Sequence, residues 1–166
     1  MFDALKKGFR EAQNRLAGLT ELDEKNIQPA LREVRQWARD TALPDGAPVI
    51  DQEWVRVHLA RVHAKAEFLK LYNWRIAADP NGSPGPAAAS ATKVYGSELA
   101  TEVYRSLMEI VGPNATVAAD SPAAVLAGRL ERYHRSALVM TFGGGTNEIQ
   151  RDIIGYVGLG LPAAKR

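Results

Sequence analysis

The 166-residue chain carries 21 Lys and Arg against 19 Asp and Glu, and 46% of its residues are hydrophobic, enough to line a core in one domain. Zero cysteines exclude a disulfide framework, a thiolate metal site, an iron–sulfur cluster and cysteine nucleophilic catalysis. The two-charge surplus, with both signs interleaved, gives no nucleic-acid footprint, and no apolar run approaches the roughly 18 residues of a membrane span. The expectation is a soluble, cytoplasmic protein with neither a nucleic acid nor a membrane as partner.

Helical periodicity runs through the whole chain. Phe2, Leu5, Phe9, Ala12 and Leu16 recur at steps of three and four, predicting a helix that ends at Gly18. After a short connection, Asp23 can cap a second helix with Ile27, Leu31, Val34 and Ala38 on one stripe. Pro29 leaves its start open: a helix beginning near Asp23 is kinked there, whereas one beginning near Gln28 holds the proline in its first turn. Residues 41–50, with two prolines and a Pro-Asp-Gly sequence, read as a loop. Asp51 is the expected cap of a long helix reaching about Ala78, with Trp54, Val57, Ala60, Ala64, Phe68 and Leu71 as its apolar stripe. Residues 79–86 break it. A further long helix spans Ala87 to Val111 through Val94, Leu99, Val103, Leu107 and Ile110, and stops at Gly112 and Pro113. Ser121 and Pro122 read as cap and first position of a helix carrying Leu126, Leu130, Tyr133, Ala137 and Met140, which stops at Gly143, Gly144 and Gly145. Thr146 can cap a last short helix with Ile149, Ile153 and Val157 inward. No strand competes. The prediction is a single all-α domain over residues 1–166, a bundle of about six helices, three of them long.

Candidate chemistry is sparse. His58 and His63 are five apart, on different helix faces, and no metal site is expected. No nucleophile-elbow or catalytic-triad pattern occurs, and His134 reads as a surface or partly buried side chain. The run Gly143-Gly144-Gly145-Thr146-Asn147-Glu148 invites a ligand, because glycines let a backbone approach closely and helix N-termini attract anions. It lacks a P-loop lysine, and a plain helix-to-helix connection is the competing reading.

Residues from Gln52 to Pro162, and above all TFGGGTNEIQRDIIGYVGLGLP, resemble the C-terminal helical domain of flavin-dependent acyl-CoA dehydrogenases, which accounts for about 41–166. The resemblance implies a four-helix core and contacts to FAD, while the FAD-holding β domain and N-terminal helical domain of a full subunit are not in this sequence. It implies that Thr146 approaches FAD beside Gly143, Gly144 and Gly145, with Glu148 where members carry glutamine or glutamate. Gly144 stands where many members have the catalytic glutamate, and the alternative base of other members is absent, so no catalytic residue is assigned. Glu109 to Pro113 resembles the Gln-x-x-Gly-Gly contact with a neighbouring subunit's FAD, with Glu109 in place of glutamine, Gly112 retained and Pro113 in place of the second glycine. An acid facing a pyrophosphate repels it. The family's Arg-x-x-Phe-Gly loop is replaced by Ala42 to Pro48. Residues 1–36 resemble the first two helices of a signal-recognition-particle GTPase N domain, through Met1-Phe2, Leu5, Leu16, Gly18, Leu22, Asn26-Ile27 and Ala30 to Arg35. Together the two resemblances imply a chimera, with a hairpin over about 1–40 joined near Glu33 to Asp40. The leading expectation is a structural helical domain without independent catalysis, needing no cofactor of its own. The alternative is a partner-dependent dehydrogenase subunit contributing to a FAD site. Family pairing through C-terminal helices leaves both a homodimer and a flavoprotein partner open.

Overall fold

A computed structural model describes residues 27–78 and 85–162. Residues 27–40 are helical (α1), followed by α2 (Glu53–Ala77), α3 (Pro86–Val111), α4 (Arg129–Met140) and α5 (Asn147–Ile153). No strand occurs among the described residues, and none of their helices is long and apolar enough to cross a membrane. The expected first helix and its connection lie outside the described residues, as does the start of α1 that Pro29 left open.

The core forms around α3. Its small and apolar residues recur on several faces at once, so α2, α4 and α5 can all pack against it. Val94, Leu99, Val103, Leu107 and Ile110 are buried as expected, together with Ala100, Tyr104 and Val111. Pro86 sits at its first turn, where the missing N–H costs nothing, and Gly112 ends it at φ 74°, a left-handed value natural only to glycine. Helix α1 adds Ile27, Leu31, Val34 and Ala38 to the same cluster. It is tied to α4 by Arg129 to Glu33 at 2.8 Å and to α2 by Gln28 to Glu67 at 3.2 Å.

The loop over 41–50 forms as expected. Gly46 turns it at φ 85°, the Asp45 carboxylate accepts from the Ala47 N–H at 3.0 Å, and Ala42 bridges antiparallel to Pro48. Asp51 does not cap α2, because it belongs to a short 3₁₀ turn (Val49–Asp51); Gln52 is the capping position and makes no side-chain cap bond.

Three further expectations are corrected. The α2 stripe is not the buried one: Val55, Leu59, Val62, Ala66 and Leu69 face the core, while Trp54, Val57, Phe68 and Leu71 are exposed, with Trp74 beside them. Both sets have helical spacing, and only the neighbours decide which set is covered. Second, Ser121 and Pro122 open a turn rather than a helix. A 3₁₀ segment (Val125–Gly128) follows in which Leu126, Ala127 and Gly128 all take left-handed φ of 53°, 52° and 63°, so α4 starts only at Arg129. Third, Ile149 and Val157 are exposed rather than inward, and α5 widens into a π-helical turn (Ile154–Gly158).

Candidate functional site

The connection from α4 to α5 carries the glycine run, and it is folded around a residue from another helix. Lys93 of α3 extends its ammonium to the carbonyl oxygens of Thr141 and Gly145, at 3.0 and 2.8 Å, and to Asn147 Oδ1 at 2.6 Å. An ammonium has three N–H donors, and all three are used. Asn147 is buried and fully engaged: its Oδ1 also lies 3.2 Å from the Ser97 hydroxyl, and its Nδ2 donates to Ser97 Oγ at 3.1 Å and to Glu98 at 3.3 Å. Arg151 closes the cluster on Glu98 at 2.5 Å.

The glycines are needed for the turn itself. Gly144 and Gly145 take φ of 71° and 100°, and a Cβ on Gly145 would stand 2.8 Å from Gln150 Nε2. Gln150 Nε2 donates to the Gly144 carbonyl at 3.1 Å. Thr146 caps α5 as predicted, its hydroxyl accepting from the Ile149 N–H at 3.4 Å. The Gly143 and Asn147 N–H groups are bonded, to Val139 and Thr141 carbonyls, whereas those of Gly144, Gly145 and Thr146 donate to no backbone acceptor among the described residues. Three successive free amides on an exposed turn suit an anionic oxygen.

Charge at this end is mixed. Burial pushes the Lys93 ammonium below its usual value, against the opposing pull of the Glu148 and Glu98 carboxylates. Glu148 is held below the usual carboxylate range, first by its own backbone N–H and then by the Thr146 hydroxyl.

The other predicted site residues lie elsewhere. Glu109 sits toward the far end of α3, sixteen residues beyond Lys93 and so about 24 Å away at about 1.5 Å per residue, and Gly112 follows as the C-cap. Glu109 is half exposed, 3.8 Å from His58 Nε2 and 3.9 Å from Arg105 Nε. His58, read from sequence only as a poor metal ligand, is thus the neighbour of the acid that replaces the family glutamine, and its Nδ1 is buried without a partner. The structure therefore brings Gly143, Gly144, Gly145, Thr146 and Glu148 together and keeps Glu109 and Gly112 apart from them. Lys93 and Ser97 escaped the sequence reading, which named Asn147 in the glycine run but gave it no role. Their one signal is a lysine and two small polar residues in the apolar register of α3 and the first turn of α5.

A sequence model of the acyl-CoA dehydrogenase C-terminal domain matches residues 25–159. Among curated proteins, the acyl-CoA dehydrogenase FadE26 of Mycobacterium tuberculosis is 60% identical over 140 residues, covering 82% of this chain, and FadE29 of the same organism is 35% identical over 135 residues, covering 80%. The chain spans about a third of the length of these relatives, 35% and 34% respectively. Among solved structures, a chain of the ChsE4-ChsE5 complex from Mycobacterium tuberculosis superposes with a TM-score of 0.79 at 61% identity, over 83% of this chain and 36% of that one. A chain of the Tcur3481-Tcur3483 steroid ACAD superposes at 0.80 with 40% identity, over 90% and 38%. The family match begins at residue 25 and so takes in α1, part of which the sequence had assigned to a borrowed hairpin. Nothing in these comparisons supports a signal-recognition-particle resemblance over residues 1–36, or a chimeric join.

Proposed function

The chain belongs to the acyl-CoA dehydrogenase family, matching its C-terminal domain, and from that premise we propose that it is one subunit of a heteromeric, flavin-dependent acyl-CoA dehydrogenase. Its part is to complete a FAD site that a different chain holds. One observation carries the reading: the glycine turn and Glu109, which the family resemblance assigns to FAD contacts, lie toward different ends of α3, with about 24 Å of helix between Lys93 and Glu109, an arrangement that suits contributions to flavins held by other chains. The 61% and 40% identical structures are chains of two-protein complexes, which supports a second chain rather than a second copy as the partner. This favours the partner-dependent alternative over a purely structural domain.

Bound FAD would supply the hydride-accepting half of an α,β-dehydrogenation of an acyl-CoA thioester. Gly144 to Thr146 would meet the cofactor with backbone N–H groups that have no backbone acceptor, which fit a phosphate or carbonyl oxygen. With Gly144 at the position of the family's base, this chain supplies no group to remove the substrate proton, and the partner provides it. At the other end His58 and Arg105 flank Glu109, and the Arg105 guanidinium partly offsets its charge toward a second cofactor. The likeness to a steroid acyl-CoA dehydrogenase supports a steroid-type CoA thioester as the substrate class.

The test is co-expression with acyl-CoA dehydrogenase chains that carry their own β domain, followed by size-exclusion chromatography with absorbance detection. A mixed complex bearing flavin absorption is the expected result. A chain that stays apart from every such partner, or that binds FAD by itself, overturns the proposal.

A further inference from the structure

The glycine turn has free amides only because its carbonyls are committed elsewhere. In a planar trans peptide the C=O and the following N–H point in opposite directions. The Gly144 carbonyl is held by Gln150 Nε2 at 3.1 Å, so the Gly145 N–H points away from Gln150. The Gly145 carbonyl is held by Lys93 at 2.8 Å, so the Thr146 N–H points away from Lys93. The same ammonium takes the Thr141 carbonyl at 3.0 Å, whose oxygen also accepts from the Asn147 N–H at 3.0 Å, fixing the two ends of the turn to one point on α3.

We propose that Lys93 is the positioning residue of the glycine turn: by gathering the Thr141 and Gly145 carbonyls and the Asn147 side-chain oxygen, it sets the direction in which Gly145 and Thr146 present their amides to an anionic ligand. The proposal rests on the reading of this turn as part of a FAD site, and it assigns to that site a residue about 50 positions upstream that does not touch the ligand. Its fit is specific to an ammonium. Three donors diverging from one atom meet three acceptors, whereas a planar guanidinium on a longer stem projects its donors in a fork and overshoots the same point. The neighbouring acids do not compete for it, since Glu98 is taken by Arg151 and Asn147, and Glu148 by its own backbone and Thr146. Ser97 holds Asn147 from the same face of α3, so lysine and amide are fixed by one rigid helix.

Three measurements test this. In the chain alone, hydrogen exchange followed by NMR is compared between wild type and Lys93→Met. The expected result is at least a tenfold faster exchange of the Gly143 and Asn147 amides, with the amides of Val103 to Ile110 unchanged. Equal rates at the turn overturn the proposal. In wild-type protein, which needs no variant to fold, competitive reductive methylation read by mass spectrometry should modify Lys93 at least tenfold more slowly than Lys70, because its three hydrogen bonds must open first and this outweighs the reactivity added by its lowered pKa. Equal labelling overturns it as well. In the complex with a flavoprotein partner, Lys93→Met should weaken FAD binding at least tenfold, and Lys93→Arg, though cationic, should fail to restore it. Lys65→Met, which breaks a comparable α2–α3 ion pair with Glu102, should leave FAD binding unchanged. Full rescue by arginine, or equal losses from Lys65 and Lys93, would reduce Lys93 to a structural residue. A wild-type pair that takes up no FAD overturns the flavin reading alone, and the exchange and methylation results then decide the Lys93 assignment.

Discussion

Helices α2 and α3 have nearly the same length, 25 and 26 residues, yet they solve opposite problems. Helix α3 is covered on nearly every side by its own chain, burying twelve residues, and α2 buries five while turning tryptophan, phenylalanine and leucine to solvent. A helix that is apolar on one stripe needs one neighbour, and one that is apolar on two needs two. Among the described residues, α1 and α3 cover only one of the two stripes of α2. The outer stripe of Trp54, Val57, Phe68, Leu71 and Trp74 is left exposed, and under the two-chain reading proposed above it is the face to test for docking of the partner.

The largest expected effect falls on the finished helix. Leu107→Ala removes a fully buried side chain from the C-terminal part of α3 and should cost about 3 kcal/mol, lowering the melting temperature by about 10 °C, as followed by circular dichroism. Phe68→Ala on α2, whose half-exposed ring stacks on Tyr72 and meets Tyr95 edge-on, should cost about 1 kcal/mol or less in the same experiment. Comparable losses would erase the distinction between the two helices. Next comes the turn before α4: Gly128→Ala should destabilise by about 2 kcal/mol, because alanine is disfavoured at φ 63° and its Cβ would lie 2.8 Å from the Ala119 backbone. The outer face responds differently. Trp54→Ser combined with Leu71→Ser should leave melting of the chain alone nearly unchanged while raising the dissociation constant of a mixed complex about tenfold, measured by light scattering or calorimetry. A lowered melting temperature with unaltered association would place the partner elsewhere.

The smallest effect concerns pH at the end of α3 that carries the glycine turn. Glu148 has a folded value below 4.5, so its ionised form stabilises the fold above that pH, and the contribution disappears as pH falls through the depressed value. Glu148→Gln should flatten the acid limb of a stability-versus-pH curve slightly and leave the neutral region alone. An unchanged acid limb would mean that the Thr146 and backbone contacts do not favour the carboxylate.

Much of α3 was legible in the sequence because a stripe with no exposed competitor admits one reading, and Val94, Leu99, Val103, Leu107 and Ile110 are all buried. The stripe of α2 misled because two sets of apolar residues share the helical period, and the larger side chains in the exposed set suggested a core. The left-handed residues at 126–128 were invisible: leucine and alanine are strong helix formers, and only packing of Gly128 against Ala119 dictates otherwise. At the site, Glu109 entered only through the family resemblance, while the glycine run and the Thr146 cap could be read from local spelling. Lys93 could not, since it reaches the turn across 48 to 54 positions and no local pattern encodes such a convergence.

The exposed stripe of α2 also gives the molecule an optical readout. Two of its three tryptophans, Trp54 and Trp74, lie on that face at 46% and 60% exposure, the second with the Lys70 ammonium 5.0 Å from its ring centre. Indole emission moves to shorter wavelength when water leaves the ring. Docking on this face should therefore announce itself as a blue shift and as reduced quenching by acrylamide, with no dye attached, and flavin brought within range would dim the same emission by energy transfer. One intrinsic signal can follow both the arrival of a partner and the cofactor it carries.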